Sequence, residues 1–253
     1  MSTTLSQALA AEALKFRHGA PARLAILMAL PMPLLGAMPY QGYQSFSAWN
    51  YWYTLFLPVT AALVVACVAQ ADARLRMRGI LGAGIPLRHA WWAKALWCCA
   101  LLVLANLIVC GIYLACSAFT VQGITAAGAL TMLATAAANT VTIAWMIPVG
   151  LFLTVRFGML AGIFCPLALQ IAGAFAWSVI PLPQLFPPSA ATVIPTSFIP
   201  VLPSGEPLSA DPALSAALAA NGALTIAGLV VCATAAAALA VATAAWFAHS
   251  EER

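Results

Sequence analysis

The stretch ALWCCALLVLANLIVCGIYLACSAFTVQGITAAGALTMLATAAANTVTIAWMIPVGLFLTV, residues 95–155, runs for 61 positions without an Asp, Glu, Lys or Arg. The hydrocarbon core of a bilayer is ~30 Å thick, and about 20 apolar helical residues cross it. The stretch therefore reads as two membrane-embedded helices, about 95–117 and 129–154, joined by a neutral loop around 118–128. Runs 24–71, 157–205 and 212–250 are equally free of these charges. The chain of 253 residues holds only ten Lys or Arg and six Asp or Glu, with a mean hydropathy of +1.00. A soluble domain of this size would carry about 60 charged side chains. So few cannot keep a surface wet, which excludes an ordinary soluble enzyme and a disordered chain.

The fold class expected is all-α integral membrane. It is a single transmembrane domain over 1–253 with six transmembrane helices, an N-terminal interfacial helix, and both termini cytoplasmic. The remaining spans fall at about 24–40, 51–71, 157–180 and 222–246. No cleavable signal peptide is expected, so the first apolar run is read as the first span. That span carries Pro31, Pro33 and Pro39, which lipid tolerates only where neighbours re-satisfy the freed carbonyls. Tyr40 to Tyr53 holds seven aromatic residues and reads as a loop and interfacial belt.

Residues 1–20 form the interfacial helix. Thr4-Leu5-Ser6-Gln7 fits a capping box, and Leu5, Leu9, Ala13 and Phe16 share one side of a helical wheel. Lys15 lies off that stripe. Residues 181–212 contain nine of the 17 prolines, too many for a spanning helix, and the segment 181–221 reads as an external Pro-rich loop against the membrane surface. Asp211-Pro212 opens a short helix within it.

Six spans divide the charges cleanly. Lys15, Arg17, Arg23, Arg74, Arg76, Arg78, Arg88, Lys94, Arg156 and Arg253 all fall on one side, which the positive-inside rule makes cytoplasmic. The net charge of +4 thus follows topology and does not point to nucleic acid.

Catalytic and metal-binding groups are scarce. No HExxH, no GxxxxGK[ST] and no CxxC occurs, and no carboxylate or histidine lies at mid-span. The seven cysteines read as small buried hydrophobes. The chain is therefore read as a non-enzyme with no cofactor. Polar residues within the spans include Asn106, Asn139 and Gln170, with Thr135, Thr140 and Thr142 beside Asn139. They either bond helix to helix, at ~1 kcal/mol each, or line a path for a large amphipathic substrate. The loop 72–94 is likewise open to two readings. Its arginines, of which Arg74 and Arg78 share a helix face, either anchor anionic lipid or form a helix–turn–helix knob for a cytoplasmic partner.

Several of these features together resemble a known family. The N-terminal helix carries Ala11-Glu12-Ala13-Leu14-Lys15-Phe16-Arg17. The second span opens with Trp49-Asn50-Tyr51-Trp52-Tyr53-Thr54-Leu55-Phe56-Leu57-Pro58. The basic stretch Asp72 to Arg78, Pro86 and Trp91-Trp92-Ala93-Lys94 lead into the third, and Leu202-Pro203-Ser204-Gly205 and Trp246-Phe247 flank the last. The pattern resembles the permease subunits of lantibiotic-immunity ABC transporters, within the ABC-2 exporter permeases. The loop departs from that pattern in carrying Gly82 and Gly84 before Pro86 and in using Arg in place of Lys.

The resemblance implies a multi-pass protein of the bacterial inner or plasma membrane, in contact with lipid. Its implied partners are a cytoplasmic ABC ATPase, a second permease subunit, and a hydrophobic or amphipathic peptide carried out of the membrane. It makes 72–94 a coupling loop, with Arg74, Arg76, Arg78, Gly79, Pro86 and Arg88 as ATPase-docking residues. It makes Glu12, Lys15, Phe16 and Arg17 part of an elbow helix at the inner surface. An ABC-2 exporter of another cargo (drug, lipid or other peptide) is the alternative, ahead of a membrane enzyme or a structural subunit.

Overall fold

A computed structural model describes residues 4–17, 19–37, 47–73, 85–118, 125–199, 201–202, 204–206, 212, 216 and 222–249. Helix α1 is Leu5–Phe16. Its start is the expected capping box: the Gln7 N–H donates to Thr4 Oγ1 at 3.4 Å, and the Thr4 N–H donates to Gln7 Oε1 at 3.0 Å. Helix α2, Ala20–Ala29, opens with Pro21 in its first turn, where the missing N–H is no loss. Pro31 then starts α3, Pro31–Ala37, because proline cannot continue the hydrogen-bond ladder of α2.

The spans follow. Helix α4 is Trp49–Ala73 with a π-helical turn at Trp52–Phe56, and α5 is Leu87–Ala118. Helix α6 is Ala126–Phe157, with a break between Ile143 and Met146. Gly158, at φ 97°, turns the chain into α7, Met159–Ser178. A short helix α8, Pro187–Val193, precedes α9, Gly222–Ala248.

Five of these helices, α4, α5, α6, α7 and α9, are long and apolar enough to cross a membrane. No β-strand occurs among the described residues. The chain is thus an all-helical, multi-pass membrane protein. The stretch read as the first span is not among the five. By length and composition, Leu5–Phe16 and Ala20–Leu35, bent by 73°, reach the measure of a sixth span when taken together.

Helix α4 is the centre of the bundle and packs on α2, α5, α6 and α7. Trp52, Leu57, Ala61, Val64, Val65 and Val68 on it are all buried. Glycine permits the closest approaches. A Cβ on Gly150 of α6 would lie 2.8 Å from Val65 Cγ1, and one on Gly162 of α7 would collide with Thr154. Helices α7 and α9 instead turn Leu160, Phe164, Phe175, Ile226 and Val230 outward, as lipid-facing helices do.

Ring contacts identify the two ends of the bundle. Trp91 lies 4.8 Å from Phe247, and Phe152 lies 4.7 Å from Trp246, which gathers the start of α5 and the ends of α6 and α9. At the other end, Trp49 meets Tyr113 at 4.7 Å, and Gly205 comes against Asn50. Among the described residues, Lys15, Arg17, Arg23, Arg88, Lys94 and Arg156 belong to the first end, and Glu206 to the second.

The Pro-rich segment differs from expectation. The structure folds Pro187–Val193 and Ile194–Ser197 into short helices, and 188–196 is buried within the bundle instead of lying on its surface. Helix α8 sits among α6, α7 and α9. Two hydrogen bonds tie it to α7: Gln170 Nε2 donates to the Pro188 carbonyl at 2.9 Å, and Ser189 Oγ donates to the Gly173 carbonyl at 2.7 Å. Any Cβ on Gly173 would strike Pro188, and one on Gly228 would strike the Gln184 carbonyl. Of the short helix expected after Asp211, Pro212 and Ala216 are helical and the rest lies outside the described residues.

Two glycine substitutions separate close packing from helix propensity. Gly173→Ala is expected to destabilise the purified protein by about 1–3 kcal/mol through overpacking against Pro188. Gly111→Ala, where a Cβ meets nothing within 4 Å, is expected to be neutral or stabilising. Thermal unfolding in detergent checks both.

Candidate functional site: a buried charge cluster at the base of the bundle

The unusual chemistry lies where α1 crosses the α4–α5 pair. The i, i+4, i+8 ridge Ala8, Glu12 and Phe16 faces inward, while Leu5 is exposed. The apolar stripe expected for α1 is thus rotated by part of a turn, and an acid sits in the middle of the buried ridge. The partner of that acid explains the rotation. Lys94 Nζ, on the first turns of α5, donates to Glu12 Oε1 at 2.6 Å and also to Asp72 Oδ2. Asp72 is the penultimate residue of α4. Its other oxygen, Oδ1, accepts from Lys15 Nζ at 2.5 Å, and Lys15 lies 3.9 Å from Glu12.

The Lys94 side chain is 3% exposed, Asp72 7%, Glu12 10% and Lys15 34%. Two acids and two bases sum to zero charge. Burying any one alone would cost several kcal/mol, so the four form a mutually dependent set. Lys15 closes the cluster on its wet side and lies 4.9 Å above the Phe16 ring. The arrangement performs no evident bond chemistry. It ties the N-terminal helix to the end of α4 and the first turns of α5 at the cation-bearing end.

The other residues singled out in the sequence divide by position. Arg74, Arg76, Arg78 and Gly79 lie outside the described residues. Pro86 and Arg88 are exposed at the start of α5, and Arg17 is exposed after α1. Asn106 and Gln170 are buried links between helices. Asn106 Oδ1 accepts from Trp52 Nε1 at 3.0 Å, and its Nδ2 donates to the Leu102 carbonyl and to Thr140 Oγ1, each at 3.1 Å. Gln170 Oε1 accepts from Trp145 Nε1 at 3.1 Å while its amide holds α8. Asn139 is different. It is fully buried, and neither side-chain group has a partner among the described residues. No group of three or more His, Cys, Asp or Glu able to hold a metal occurs among the described residues.

Sequence reading treated Asp72 and Lys94 as ends of a basic loop and missed their pairing. The available signal was a lone acid and a lone lysine at the two membrane edges of one hairpin, with Glu12 on a four-residue ridge of small and aromatic residues.

Comparison of the chain with protein-family models, with curated proteins and with solved structures finds no match in any of the three.

Lys94→Met is expected to cost about 3–5 kcal/mol, because it leaves Glu12 and Asp72 buried without their shared cation. Adding Glu12→Gln to Lys94→Met should recover part of that loss. A double-mutant cycle on thermal stability measures the coupling, and additive losses would show that the two side chains do not interact.

Proposed function

We propose that the chain is the permease subunit of an ABC-2-type exporter that expels a lantibiotic-type peptide from the membrane and so protects the cell making it. In this reading the chain crosses a bacterial plasma membrane six times, with α2 and α3 as the first crossing and α1 on the cytoplasmic face. Both termini are cytoplasmic. ATP hydrolysis belongs to a separate cytoplasmic chain, and a second permease subunit completes the path.

One observation carries the proposal. The buried cluster joins α1 to both ends of the 72–94 loop, and it does so at the end of the bundle that bears the described cations. A loop that receives force from a soluble motor must be anchored to the spans it moves. Asp72 lies at the end of α4 and Lys94 in the first turns of α5, so displacement of the loop would reach α4, α5 and α1 together. The arginines Arg74, Arg76 and Arg78, with Gly79, Pro86 and Arg88, supply the docking face in this reading. The sequence pattern described above supports the lantibiotic cargo, and the scarcity of ionisable groups within the spans supports an external energy source.

The test is co-purification of the tagged chain from its native membrane, followed by peptide sensitivity of a strain lacking it. The expected result is an associated ATPase and a rise in sensitivity to lanthionine-containing peptides. An associated ATPase with sensitivity changed only towards other compounds would move the cargo to a drug, lipid or other peptide. No associated ATPase would defeat the permease reading.

A further inference from the structure

Asn139 stands apart from Asn106 and Gln170, the other carboxamides buried at mid-span. The threonines near it bond back to their own helix: Thr135 Oγ1 to the Thr131 carbonyl at 2.8 Å, Thr140 to Ala136 at 2.9 Å, and Thr142 to Asn139 at 3.2 Å. Asn106 and Gln170 use both halves of their amides. Asn139 uses neither Nδ2 nor Oδ1, although no part of it is exposed. A buried carboxamide without partners is destabilising, and leucine at this position would fill the same space without that cost.

Its place on α6 gives the cost a purpose. At about 100° per residue, Met132, Ala136 and Ile143 fall together and belong to the main core. Ala138 lies well round the helix and belongs to a second, separate cluster with Ala190, Ile194 and Cys232 of α8 and α9. Thr135 and Thr142 fall between the two, and Asn139 lies on the main-core edge of that strip, about 20° from Met132. Asn139 therefore sits on a polar seam between the main core and the smaller cluster around α8. The elements bordering α8 carry more buried polar groups without partners among the described residues: Thr192 Oγ1 on α8 itself, and Tyr53 Oη in the π turn of α4 that α8 touches. A π turn is itself a frequent mark of a functional site.

We infer that this seam is a binding track for a neutral, amide-bearing chain, and that Asn139 is its principal hydrogen-bonding contact. A carboxamide offers one donor group and one acceptor, the complement of a peptide bond. With no formal charge along the strip, the track selects backbone amides and apolar side chains over ionised groups. This rests on the peptide-export reading and deepens it by assigning the contact.

The test compares Asn139→Leu, Asn139→Ala and Asn106→Leu in the chain co-expressed with its ATPase, with nisin, a lanthionine-containing peptide, as probe. Asn139→Leu is expected to hold or raise the thermal midpoint and to lower protection against nisin roughly tenfold, the size of one lost hydrogen bond to ligand. Asn139→Ala should lower protection similarly. Asn106→Leu should lower the midpoint, because Trp52 and Thr140 lose their partner. A photoreactive benzoylphenylalanine at 139 should cross-link nisin, whereas one at the exposed Ala137 should not. Full protection by both Asn139 variants would overturn the track while leaving the exporter reading intact. Absence of nisin protection by the unaltered chain would overturn the peptide-export reading and the track with it.

Discussion

A charge taken out of water beside a membrane has to be met by an opposite charge, and the Lys94 ammonium is met by two carboxylates from two different helices. That constraint organises the base of the bundle. Glu12 must face inward, so α1 is rotated from the orientation its leucines alone would set. Asp72 must end α4 within reach of the first turns of α5, so the two helices are held together at the cluster. Lys15 satisfies the second oxygen of Asp72 and brings the sum to zero. Removing one member unbalances the other three.

Above the cluster, the packing depends on small residues and on helix breakers placed where something must come close. Gly150 admits Val65, and Gly173 admits Pro188. The proline-rich stretch enters the bundle because proline needs fewer hydrogen-bond acceptors, and because Gln170 and Ser189 supply the bonds that cross to α8 and α7. The interior therefore divides into a main core around α4 and a second cluster around α8 and α9. A polar strip of α6 lies between them.

Much of this fold is legible in the sequence because membrane insertion imposes a coarse, strong pattern. Long neutral runs mark α4 to α7 and α9. Gly158 after Arg156 marks the α6–α7 turn, and Thr4 with Gln7 marks the start of α1. What sequence hides are features set by tertiary partners. The run around 24–40 has the hydropathy of a span, but Pro31 cuts it into pieces of ten and seven residues. The prolines of 181–212 exclude a spanning helix, yet whether such a segment lies on the membrane or inside the bundle depends on Gly173 and Gly228, which sit on other helices. The pairing of Glu12, Asp72 and Lys94 spans 82 positions, beyond the reach of any local periodicity. Asn106, Asn139 and Gln170 look alike in sequence, and only their surroundings separate two helix links from one unsatisfied amide.

Joined by the charge cluster, α1 and the α4–α5 hairpin are expected to move as one body. The most direct measurement is a pulsed electron–electron distance between spin labels carried by unnatural amino acids at Leu14 and Arg88, both exposed and both outside the cluster. The unaltered chain should give one narrow distance distribution, and Lys94→Met should broaden it while the protein remains folded. Equal widths with and without Lys94 would contradict the claim.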